Sequence, residues 1–223
     1  MSKFKFPYHT CVIDIGSPKL GNLGWCLIDA LKNVEYTGTD LDELIAHIAV
    51  ITKNSGLLLG LDAPLCVPIR SNLLDATKAR RGEGRSPWSA GAGAQVLTMN
   101  LPIMVYLFRA IHRIAGQVSF FVHPQKFLAQ PSQIMIFEAL ISGKDKGSSH
   151  VNDAQIMARS CKHYAALNIL PKCILEKEVD SEFFNLAASA LLRCNLIEDI
   201  SQLSSPTPIY KPETFDNEKT KST

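Results

Sequence analysis

Cys11-Val12-Ile13-Asp14-Ile15-Gly16 and Leu57-Leu58-Leu59-Gly60-Leu61-Asp62-Ala63-Pro64 are two apolar runs that each carry a carboxylate at the C-terminal end and then meet a chain breaker. The second is apolar at every position up to Asp62. It lacks the alternation of a half-exposed strand, so it reads as a strand buried on both faces, as in a parallel sheet. In open α/β sheets, sites form outside the carboxyl ends of the strands. If these two strands are parallel neighbours about 4.8 Å apart, Asp14 and Asp62 come close enough to share a cation. Two such charges buried without compensation cost several kcal/mol each, so a metal, a basic residue or a raised pKa must offset them.

Working outward, Leu23–Asp29 reads as a second strand joined to the first by the Gly21-Asn22 turn, and Val34–Gly38 as a third, giving an opening meander. Asp40 with Glu43 has helix-capping spacing, and Leu41, Leu44, Ile45 and Ile48 continue a helix to about Lys53. Residues 65–94 read as a long irregular insertion, a feature usually functional or mobile in a compact domain. A helix is expected from about Gln95 to Gly116, strands at Val118–Val122 and Ile134–Glu138, a helix from His150, and a last helix over Ser181–Cys194. The expected fold is α/β, with residues 1–203 as one domain and 204–223 as a partly disordered tail.

The chain has 223 residues, 23 Lys+Arg against 21 Asp+Glu, and 46% hydrophobic residues. This composition excludes disordered, collagenous and small disulfide-stapled classes. A formal charge of +2 gives no global attraction to nucleic acid, so an anion-binding surface must be local. Six isolated cysteines without a CxxC pair read as reduced thiols in a cytoplasmic protein. Met1–Pro7 lacks the apolar core of a secretory signal. The apolar part of the uncharged run 86–108, from Val96 to Phe108, falls short of the roughly 20 residues of a membrane span, so a buried helix and no membrane contact are expected.

One local basic patch is present. Arg70, Lys78, Arg80, Arg81 and Arg85 face only Asp75 and Glu83 between positions 70 and 85. Guanidinium groups bind phosphate bidentately, and Gly82 and Gly84 allow close backbone approach. Trp88 is placed to stack on a base or to pack on the core. The bland alternative for the arginines is a solvated loop. His9, His123 and His150 are candidate general bases, His150 because it precedes Asp153 by three residues.

The Ile13-Asp14-Ile15-Gly16 opening with Gly24-Trp25, the Leu61-Asp62-Ala63-Pro64-Leu65 motif, the run Arg80-Arg81-Gly82-Glu83-Gly84-Arg85 and the helical Asp153-Ala154 together resemble the RNase H-like superfamily. Within it they are most similar to predicted nucleases with a Ruv-resolvase-type core, over roughly residues 9–200. The resemblance implies a mixed sheet of three antiparallel strands followed by parallel ones, flanked by helices. It also implies four acids holding two Mg²⁺ or Mn²⁺ ions. Asp14 matches the aspartate of the first strand and Asp62 that of the fourth; Glu138 and Asp153 are the candidates for the third and fourth places. Members often close the cluster with an Asp-Ala pair from the final helix, where this chain has Asn185, with Asp180 nearby. Asparagine is a neutral, weaker ligand for a hard cation.

The function expected on this reading is metal-dependent phosphodiester hydrolysis, with Arg80, Arg81, Arg85 and Trp88 on the substrate side and a nucleic acid or nucleotide as partner. A homo-oligomer is compatible with it. Two alternatives stand beside it. An actin-like ATPase or sugar-kinase phosphotransferase also carries Asp-x-Gly after its first strand, although a second such motif is not found. A non-catalytic binding module would keep the fold and lose metal.

Overall fold

A computed structural model of the protein describes residue 4 and residues 7–84, 87–175 and 181–213. Its main sheet is assembled from β1 (His9–Asp14), β2 (Gly24–Asp29), β3 (Val34–Gly38), β4 (Leu57–Asp62), β6 (Ser119–Phe121), β7 (Gln133–Ala139) and β9 (Ile209–Tyr210), in the order β3-β2-β1-β4-β7-β6. The first three strands are antiparallel, while β4 joins β1 and β7 joins β4 in parallel. The outer edge of β7 is shared: β6 pairs with Gln133–Met135, and β9 with Glu138 and Ala139. A separate two-stranded sheet joins β5 (Cys66–Arg70) to β8 (Ser181–Asn185). The helices are α1 (Leu41–Ile51), α2 (Gly93–Ala115), α3 (His150–Ala166) and α4 (Leu186–Arg193).

Strand alternation divides the core. Cys11, Ile13, Leu59, Leu61, Ile134 and Ile136 point to one face, where they pack with α1, α2 and α4. Val12, Leu58, Met135 and Phe137 point to the other, against α3. Every residue of β1, β2 and β4 is buried, as expected for strands covered by helices on both sides. The mixed α/β sheet expected from the sequence is therefore present, with four flanking helices.

Two expectations are corrected. The last helix does not begin at Ser181: residues 181–185 are β8, and α4 starts at Leu186. The Asn185 side chain accepts the Ala188 N–H as a helix cap and donates to the Ser205 carbonyl, so the local competition between helix and strand is settled by the cap and by pairing with β5. The insertion 65–94 is not wholly irregular, since it contributes β5 and the first residues of α2. The first part of the tail returns to the main sheet before position 213, and the poor order expected beyond Glu213 falls outside the described residues. The Pro208 carbonyl accepts from Glu138 N–H, and Tyr210 is buried. Helix α2 is long and apolar enough by length and composition to cross a membrane, more so than its apolar stretch suggested. Here it packs between α1 and α4, with Met104, Leu107, Phe108 and Ile111 in the core.

One glycine fixes how closely α3 approaches the sheet. Gly24 lies opposite Asp14 in the β1–β2 ladder, and a Cβ there would strike the backbone of His150 and Val151. Real side chains do not tolerate such overlap with a backbone, so Gly24→Ala must push the start of α3 outward. We expect a loss of about 1–3 kcal/mol in chemical unfolding, accompanied by loss of the His150 contact described below, which the imidazole NMR shift would report.

Candidate carboxylate centre

Asp14 and Asp62 are partners in the parallel β1–β4 register. Neighbouring parallel strands run about 4.8 Å apart and partners share a face. Both carboxylates therefore project to the α3 side at the carboxyl end of the sheet, and both are buried. The Ile141 N–H donates to Asp62 Oδ1 at 3.4 Å. His150, the first residue of α3, places Nδ1 2.7 Å from Asp14 Oδ2.

Asp153 enters from the first turn of α3. It is buried, accepts the N–H of Gly147, and bears electrostatically on Asp14. Ser149 caps that helix by accepting the Asn152 N–H at 3.2 Å, which holds His150 and Asp153 in place. Lys146, in the turn just before α3, acts on both Asp14 and Asp62 as a nearby positive charge.

Burial lifts the Asp14 carboxyl to about 6, opposed by His150 and reinforced by Asp153. Burial also pushes Asp62 well above the ordinary carboxylate range, with the Asp14 charge adding to it and the Ile141 N–H opposing. Among the described residues Asp62 has no ion-pair partner. The sign of the consequence follows from linkage. Between pH 4 and about 6 the folded protein keeps protons at this pair that the unfolded chain has released, so the pair's contribution to metal-free stability is most favourable at low pH and is lost as pH rises through the folded values. Asp62→Asn removes the repulsion, and we expect it to raise metal-free stability at pH 8 by about 1–3 kcal/mol in denaturant titration. A stabilising substitution at a buried acid is the signature of a group kept at an energetic cost.

Glu138 is placed elsewhere. Its register partner on β4 is Leu61, not Asp62, so it projects to the opposite face of the sheet. There it is fully buried and bound bidentately by Arg80, at 2.8 Å to Nη1 and 2.5 Å to Nη2, and it accepts the Leu65 N–H at 2.8 Å. Arg80 also meets Glu83 at 2.7 Å. Burial raises the Glu138 carboxyl while Arg80 pulls the other way, and the same contact holds Arg80 protonated against its own burial. Both residues expected in catalysis or phosphate steering thus form a buried ion triad that anchors the insertion to the sheet.

The other basic residues divide in the same manner. Arg70 donates to the carbonyls of Asp75, Lys78 and Ala79, and Lys78 pairs with Asp75 at 2.6 Å. Arg81 is exposed, and Arg85 and Asp180 lie outside the described residues. His9 sits at the opposite end of β1, 3.4 Å from Asp29, and His123 is held below its ordinary value by burial. No family model, curated protein or solved structure matches this chain. The site rests on its own chemistry.

Lys146 and the Gly24 contact were missed by sequence reading. Lys146 follows β7 at the same end of the sheet as Asp14 and Asp62, and that position was the available signal. Among the described residues, no group of three or more His, Cys, Asp or Glu already stands at metal-ligand geometry. The donor chemistry nevertheless fits a hard cation. The acids supply oxygen donors, and burial pushes the two central ones toward protonation, with the Asp14 charge adding to the effect on Asp62.

Proposed function

We propose that this protein has an RNase H-like fold and is a divalent-metal-dependent nuclease or phosphodiesterase. The observation that carries the reading is the in-register pair Asp14–Asp62, buried at the carboxyl ends of two parallel strands, with no ion pair to Asp62 among the described residues. Three antiparallel strands followed by parallel ones, flanked by helices, agree with what the superfamily resemblance implies.

Asp14 and Asp62 would hold Mg²⁺ or Mn²⁺, with Asp153 as the third carboxylate; Glu138 is engaged with Arg80 on the other face. A bound divalent ion lowers the pKa of water and stabilises charge on phosphate oxygens. His150 orients Asp14 through its Nδ1, leaving the second Asp14 oxygen without that contact. Lys146 draws phosphate toward the acids, a role expected for Arg80 that its burial precludes. Incubation with single- and double-stranded DNA and RNA should give cleavage in Mn²⁺ that EDTA abolishes. Absence of cleavage with every substrate in both ions would overturn the reading.

A further inference from the structure

A cavity of about 600 Å³ opens beside the carboxylates, within the roughly 300–1,000 Å³ of small-molecule sites. Its walls are mostly apolar and come from Pro87 and Trp88 of the insertion, Ala92 at the start of α2, and Leu140 and Ile141 after β7. Lys146 supplies its positive charge. The cavity and the acids share a wall, because the N–H of Ile141 is the one on Asp62. Lys146 likewise serves both, lining the cavity and acting on Asp14 and Asp62.

Trp88 is held firmly. Its backbone N–H donates to Glu83 Oε1 at 3.2 Å, its carbonyl accepts the Gly93 N–H at 2.9 Å, and its ring lies against Gly93, where a Cβ would collide. Glu83 is itself fixed by Arg80, so the buried ion triad positions the indole. Among the described residues the Trp88 Nε1 is buried without a hydrogen-bond partner. An indole N–H in that state lacks an acceptor.

We propose that this cavity receives the unstacked base of a nucleotide whose phosphate lies at Lys146 and the carboxylate pair. A flat ring packed against Trp88 and Ile141 would gain stacking, while the attached phosphate supplies the charge that matches Lys146. This subsite rests on the hydrolase reading for the chemistry of its ligand, but its binding is measurable without turnover.

The test is calorimetric titration of the full chain with Ca²⁺, an oxygen-binding cation, in place of Mn²⁺, with each probe checked for intactness after the run. The probes are nucleoside 5′-monophosphates against ribose 5-phosphate, and a single-stranded octanucleotide against the fully abasic octamer. The parent should bind base-bearing probes about tenfold tighter than base-free ones. Trp88→Ala should erase that difference and leave base-free binding unchanged. Ala92→Phe, which fills the cavity from an exposed position, should do the same and covers the case in which Trp88→Ala fails to fold. A gain seen with the monophosphates identifies a small nucleotide as ligand, and one confined to the octamer identifies a strand; either supports the subsite. No base-dependent gain in the parent, or a gain that survives Ala92→Phe, overturns it. Base-dependent binding without Mn²⁺ cleavage retains the subsite and rejects the hydrolase; cleavage without base-dependent binding does the reverse.

Discussion

Asp14→Asn should abolish metal-dependent cleavage while leaving the protein folded. The substitution keeps the volume and the contact with His150, and it relieves rather than adds burial cost, because the carboxyl it replaces is already pushed up to about 6. What it removes is a charged oxygen beside Asp62 at the strand ends. Disturbing the groups that merely orient a metal ligand costs 10–100-fold, so losing the ligand itself should cost at least about 100-fold in kcat/KM. Unfolding midpoints measured without metal should be equal to or above those of the parent. Equal cleavage by parent and variant would remove Asp14 from the centre.

The largest stability effect is expected at Arg80→Met. Arg80 is fully buried between Glu138 and Glu83, so its loss leaves two carboxylates without a cation where water does not reach. Breaking a buried pair from one side costs about 3–5 kcal/mol. For a chain of this length that corresponds to a fall in Tm of roughly 6–20 °C. Arg80→Met/Glu138→Met should recover part of the loss, since apolar replacement of both partners avoids the uncompensated charge, although the Leu65 N–H then lacks its acceptor. If Arg80 acted as a mobile phosphate clamp instead, Arg80→Met would weaken substrate binding with little change in Tm.

The part of this architecture legible in the sequence was the part set by simple periodicity. The uninterrupted apolar runs gave the buried strands, and the matching positions of Asp14 and Asp62 within them foretold their pairing. Glu138 shows where that logic fails. It too ends an apolar run, yet side chains alternate every residue, and its pairing with Leu61 turns it to the far face. Register is a tertiary property, and nothing local in Ile134–Glu138 specifies it. The start of the last helix was misplaced for a related reason. Residues 181–194 were read as one helix, but pairing with β5, some 115 residues earlier in sequence, draws residues 181–185 into a strand. The basic run was legible as charge but not as structure, because the partner of Arg80 is 58 residues away.

The account stands on a cation shared by Asp14 and Asp62, and Mn²⁺ binding measures this without reference to any substrate. Calorimetric titration of the metal-free protein at pH 7.5 should show binding that weakens as pH falls through about 6, as Asp14 takes up its proton. That binding should be lost in Asp62→Asn, which also removes the repulsion and stabilises the metal-free fold. Mn²⁺ binding of equal strength in parent and Asp62→Asn, or none in the parent, would contradict the account.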